Sequence, residues 1–154
     1  MSGAAERLAA LGLTLPPVTA PVAAYVPAVR TGSYVYVSGQ LPVVDGKLPA
    51  TGKVGDAVSA QDAAGMARTC ALNAVAAAAQ AAGGLDAIIR IVKVVGFVAS
   101  APGFNGQPQV VNGASELLIE VFGEAGRHAR SAVGVAELPL GAPVEVELIA
   151  EVRD

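Results

Sequence analysis

The stretch HARSAVGVAELPLGAPVEVELIAEV, His128 to Val152, holds two β-prone runs separated by Leu-Pro-Leu-Gly. In the second run, strict alternation puts Val144, Val146, Leu148, Ala150 and Val152 on one side of a strand and Glu145, Glu147, Ile149 and Glu151 on the other. A strand of that kind needs a helical layer over its apolar side, and the rest of the chain is read for one. In the first run Arg130 stands inside a β-prone segment and shares its side with Ala132 and Gly134, small residues that leave space around it.

The helices are upstream. Ser59 precedes AQDAAGMARTCALNAVAAAAQAAGG, which has Asp62 near its first turn, strong helix formers throughout and a Gly83-Gly84 stop. A second helix is expected from Gln109 to Phe122, where Val110, Leu117, Leu118, Val121 and Phe122 fall on one stripe before GEAG ends it. Between them, AIIRIVKVVGFVAS is a β-branched run closed by the breakers PGFNGQPQ. Towards the N-terminus, AAYVPAVRTGSYVYVSGQLPV gives two β-prone runs joined at Arg30-Thr31-Gly32-Ser33, a hairpin. The Gly-, Asp- and Pro-rich segment between Gly46 and Ser59 reads as a loop. Ala4 to Leu11 has a short helical spacing that the prolines of LPPVTAP end, so residues 1–20 form a small N-terminal extension. The order is β-β-α-β-α-β-β, and two helices on one face of a mixed sheet make a two-layer α+β sandwich. No repeat or linker divides the chain, and 1–154 is expected to be a single domain.

Composition excludes several functions. The chain has 154 residues, a formal net charge of -3 and 53% hydrophobic residues, with Lys and Arg dispersed, so no stable nucleic-acid partner is expected. Its mean hydropathy of +0.55 raises the question of a membrane span. The longest apolar run, Ala71 to Leu85, is mostly alanine, contains Asn73 and Gln80, and falls short of the ~20 apolar residues a span needs. Glu6 and Arg7 interrupt the N-terminus where an export signal would be apolar. Cys70, the single cysteine, permits no intrachain disulfide and reads as a small buried hydrophobe; a cytoplasmic location fits. His128 has no ligand partners at metal spacing, and no metal site is expected. A chain with so few charges to cover its surface is expected to bury part of it in copies of itself.

Taken together, YVPAVRTGSYVYVSGQLPV, IVKVVGFVAS, VVNGASELLIEVF and ARSAVGVAELPLGAPVEVELIAEV resemble the RidA/YjgF family, the imine deaminases once labelled L-PSP endoribonucleases, from about Tyr25 to Val152. The resemblance implies a chorismate-mutase-like fold, a homotrimer whose three sheets line a central barrel, intersubunit clefts and no cofactor. It also implies that Arg130 grips the substrate carboxylate, that Glu145 positions or activates water, and that Tyr25 and Ser38 line the cleft. Two features depart from the family pattern. Ala132 stands where many deaminating members have cysteine, and the N-terminal extension and the 46–59 loop mark a longer subgroup.

The implied chemistry suits these residues. A small 2-imino acid offers a carboxylate to a bidentate guanidinium and an electrophilic carbon to water, whose proton a nearby carboxylate takes before ammonia leaves. From pattern alone, Arg130 paired structurally with Glu145 or Glu147 is an equal alternative. Three function classes follow: a hydrolytic deaminase of 2-imino or enamine acids, a non-catalytic binder of small carboxylates on the same scaffold, and a chaperone-like interaction protein. Ribonuclease activity ranks last.

Overall fold

The computed structural model describes residues 3–154; the first two residues of the expected N-terminal extension lie outside the described residues. The extension begins with helix α1, Ala4–Ala10, which buries Leu8 and is tied down by the Ala5 amide donating to Asp86 Oδ1 at 3.2 Å.

Strands β1 (Ala28–Thr31) and β2 (Tyr34–Gln40) form the expected hairpin, with the turn narrowed to Gly32 and Ser33. Gly32 has φ +57°, the positive value that this first position of a tight hairpin turn requires. Helix α2, Ala60–Ala82, starts where Ser59 accepts a hydrogen bond from the Asp62 amide at 3.0 Å and stops at Gly83 in the left-handed conformation. Its inward side is almost all small: Ala63, Ala67, Ala71, Ala74 and Ala78 are buried, so the helix lies close to what it covers.

Strand β3 (Ile88–Ala99) leads into helix α3 (Gln107–Phe122), which starts two residues earlier than its apolar stripe indicates. Pro108 occupies the first turn, where a missing N–H costs nothing, so a residue read as a breaker is part of the helix. Strands β4 (Ala129–Val135) and β5 (Val144–Val152) complete a five-stranded mixed sheet in the order β1-β2-β5-β3-β4. The β3–β4 pair is parallel, as their connection through α3 demands, and the other pairs are antiparallel.

Strand β5 is central and carries the alternation read from its sequence: Val144, Val146, Leu148, Ala150 and Val152 are buried, and the intervening residues are partly exposed. Both long helices cover the first side, where they meet Val35, Ile91, Val94 and Val98 in one core. No described helix lies over the other side. Tyr34, Tyr36 and Val133 are exposed there, and β-pairing sets Glu145, Glu147, Lys93, Val95 and Phe97 among them. No described helix is long and apolar enough to cross a membrane.

Candidate functional site

Arg130 lies on the edge strand β4, opposite Val94 of β3, which in turn pairs with Leu148 of β5; all three therefore face the helical layer. Its guanidinium reaches one stripe of α3. Nη1 donates to Asn112 Oδ1 at 2.8 Å and to Ser115 Oγ at 3.2 Å, and Nη2 donates to the Pro108 carbonyl at 3.4 Å. Every one of these acceptors is neutral. The described ion pairs are Lys53–Glu137, Arg68–Glu120 and Arg127–Glu124, so Arg130 is not the structural partner of Glu145 or Glu147. Of the guanidinium's N–H groups, Nε–H and one hydrogen of Nη2 remain uncommitted, the number that a carboxylate accepts in a two-point grip. Ala132 and Gly134, next on the same side, do not leave the space that their sizes indicate: Ala132 packs against the core, and Gln107 and Ser100, hydrogen-bonded to each other, fill the room where a Cβ on Gly134 would stand.

Glu145 sits on the opposite side of the sheet, aligned through Phe97 with Val133. The carboxyl is half-buried, and burial, reinforced by the neighbouring Glu147 charge, pushes its pKa up. It accepts no hydrogen bond from a described residue, and it packs over Gly39, where a Cβ would collide with it. Gly39 belongs to an irregular part of β2, where pairing with β5 shifts between Val37 and Gln40.

Ser38 immediately precedes that glycine. Its hydroxyl donates to the Val26 carbonyl at 2.7 Å, and its amide to the Pro27 carbonyl at 2.9 Å. These bonds anchor the segment that carries Tyr25, an exposed residue. The four expected site residues thus form two groups within one chain: Ser38, Glu145 and the Tyr25 segment around the β2 irregularity, and Arg130 alone against α3.

Around Arg130 the sequence reading missed Asn112, Ser115 and His128. His128 is half-buried rather than a free loop side chain: Nδ1 lies 2.6 Å from the Gly126 carbonyl and Nε2 2.9 Å from Ser115 Oγ. The available signal was the polar pair Asn112 and Ser115, three apart beside the apolar stripe of α3. Cys70 is buried with its thiol near the Val144 carbonyl, and burial pushes its pKa up, which suits the packing role read for it. Among the described residues no group of three or more His, Cys, Asp or Glu is placed to hold a metal ion.

Hollows open on the surface of the single chain. One, about 190 Å³, lies on the helix-free side between Tyr36, Lys93, Val95 and Glu147. Another, about 520 Å³, runs past Arg30, Gly84 and Arg153 at the far end of α2. Neither is lined by Arg130 or Glu145.

The family model described as "YjgF/chorismate mutase-like, putative endoribonuclease" matches residues 5–152. Protein TCP17 of Trypanosoma cruzi is 46% identical over 151 residues, which cover 97% of this chain and 94% of that protein. The crystal structure of Atu1372, a protein of unknown function from Agrobacterium tumefaciens, is 48% identical, with 97% of this chain and 92% of that one covered and a TM-score of 0.90. E. coli TdcF, solved with bound serine, is 31% identical, with 88% and 92% covered and a TM-score of 0.64.

Proposed function

Because the chain belongs to the YjgF/chorismate-mutase-like family, we propose that it hydrolyses small 2-imino or enamine acids to 2-keto acids and ammonia, without a cofactor, at clefts between the subunits of a homotrimer. The observation that carries this reading is Arg130, a charge held in place by neutral acceptors alone with two donors to spare. A small carboxylate supplies the missing counter-charge. The bound serine of TdcF is a ligand of that kind, an amino acid with its carboxylate.

The steps require little else. Arg130 fixes the substrate carboxylate and so the plane of the C=N bond. The Glu145 carboxylate takes a proton from water as the oxygen bonds to the imine carbon; its raised pKa makes it a better base than an ordinary surface carboxylate. Glu145 returns that proton to the nitrogen, then takes the carbinol O–H proton as the C–N bond breaks and the C=O bond forms, and the 2-keto acid and ammonia leave. Ser38 holds the Tyr25 segment where it closes the cleft. The cysteine of many deaminating relatives is Ala132 here, and this scheme gives it no step. Arg130 and Glu145 face opposite ways in one chain, so the cleft takes them from two copies, brought together as the helix-free sheet faces meet around a barrel.

The test couples the purified protein to an amino-acid oxidase that generates 2-iminobutanoate and times keto-acid release. Acceleration is expected with the parent. Arg130→Ala should fold and lose ten- to a hundredfold in kcat/KM, roughly 1.5–3 kcal/mol for a charge-assisted pair, with Arg130→Lys between. A parent that leaves the release rate at its spontaneous value, yet binds 2-ketobutyrate through Arg130, would establish the non-catalytic carboxylate binder instead.

A further inference from the structure

A continuous hydrogen-bonded chain runs from a backbone carbonyl to the Arg130 guanidinium, and its polarity can be assigned. The Gly126 carbonyl only accepts, so the nitrogen 2.6 Å from it, His128 Nδ1, carries a hydrogen. In the neutral ring Nε2 is then a lone pair, and the Ser115 hydroxyl 2.9 Å away donates to it. With its hydrogen so engaged, Ser115 Oγ turns a lone pair to Arg130 Nη1, at 3.2 Å. Burial and the Arg130 charge both push the His128 pKa down, although the Gly126 hydrogen bond opposes them.

We propose that Ser115 and His128 are positioning residues for the carboxylate gripped by Arg130, and that binding a small carboxylate at Arg130 is coupled to taking up a proton at His128. The proposal rests on Arg130 being the ligand's anchor. Protonation of His128 favours the ligand. The imidazolium adds positive charge beside the guanidinium, which favours an anion. Nε2–H now donates to Ser115 Oγ, which keeps a lone pair on Arg130 Nη1, so the guanidinium holds its seat while the charge beside it rises. Conversely, a bound carboxylate offsets the Arg130 charge that disfavours the imidazolium, so each ligand strengthens the other by the same factor.

The surrounding charges do not substitute for Arg130. Arg127 and Glu124 pair with each other in the turn before β4, Arg90 of β3 donates to the Arg127 carbonyl, and Lys93 pairs in register with Ala129 on the same sheet. On α3, Glu116 follows Ser115 and is exposed, while Glu120 pairs with Arg68. Arg130 is the one whose charge acts on the His128 ring.

His128 is the only histidine in the chain, so its ring resonances need no assignment. Its titration is followed by NMR with and without saturating 2-ketobutyrate, and the affinity for 2-ketobutyrate is measured by calorimetry at about pH 5.5 and about pH 8. The midpoint should rise by roughly 0.5 to 1 unit on binding, and affinity should be higher at the lower pH by roughly two- to sevenfold, approaching three- to tenfold only as the pH falls well below the free midpoint. His128→Gln should bind with the pH dependence removed. Ser115→Ala should weaken binding, and Ser115→Thr, which keeps the hydroxyl, should restore it. An unmoved midpoint in a protein that binds 2-ketobutyrate through Arg130 would overturn the linkage and leave the proposed function standing. No binding at either pH would overturn both.

Discussion

Arg130 and Glu145 project from opposite faces of one sheet. The parallel register sets Arg130 beside Val94 and hence on the helical side with Leu148, while Glu145 aligns with Phe97 and Val133 on the uncovered side. No side-chain rotation carries a group through a hydrogen-bonded sheet. The proposed hydrolysis therefore takes them from two chains, and an edge strand bearing Arg130 next to an uncovered face bearing Glu145 is a geometry that copies can complete.

Gly39→Ala tests whether the seat of Glu145 matters. The added Cβ would occupy the space of the Glu145 carboxyl, the far end of a flexible side chain that can swing away at small cost to the fold. The expected result is a melting temperature close to the parent's and kcat/KM reduced on the order of tenfold or more, because a misplaced base loses its alignment with water. Unchanged turnover would show that the carboxyl needs no fixed seat.

Glu145→Gln should separate stability from activity. A carboxyl whose native pKa is raised binds its proton more tightly folded than unfolded. The native state is therefore favoured below the ordinary carboxylate range, and stability falls as pH climbs from that range through the raised value. Glutamine removes this slope. At neutral pH the variant should melt roughly 1–3 °C higher than the parent, a modest gain because the group is only half-buried, while imine hydrolysis falls on the order of a hundredfold or more. In the parent, kcat/KM should rise with pH through the same interval. A melting temperature that drops on substitution would refute the electrostatic account.

The same substitution in two helices should have opposite signs. At Gly113 of α3 a Cβ would overlap the Ala64 carbonyl oxygen of α2, backbone that cannot step aside, so alanine should destabilise by about 1–2 kcal/mol despite its better helix propensity. At Gly65, exposed on α2 with open space around it, alanine should stabilise by up to about 1 kcal/mol. Chemical denaturation of both variants checks the pair. Equal effects would mean that α2 and α3 are not held together at Gly113.

The fold was legible because its signals are local. Ser59 and Gly83 bracket α2, and the alternation from Val144 to Val152 names the buried face of β5 without outside information. Pro108 misled only because proline in a first helical turn looks like a breaker in one dimension. The site was legible in its residue types and not in its pairing. That Arg130 lies against Asn112 and Ser115 depends on the β3–β4 register, and that it faces away from Glu145 depends on registers running across three strands. His128 read as lacking partners because both of them are set by how α3 ends and β4 begins.

The opposed faces of Arg130 and Glu145 give the strictest test of the proposed assembly. As pure trimers Arg130→Ala should keep about a tenth of the parent's activity or less and Glu145→Gln about a hundredth or less, and light scattering should find both trimeric, since neither change touches the core. The two are unfolded together in equal amounts and refolded. If every site takes its arginine from one copy and its glutamate from the next, random mixing leaves roughly a quarter of the sites with both groups intact, and activity should recover to about that fraction of the parent's. Sites built within single chains would never regain both groups in any mixture. Recovery near a quarter would therefore locate the site between subunits, and a refolded mixture no more active than its components would place catalysis elsewhere.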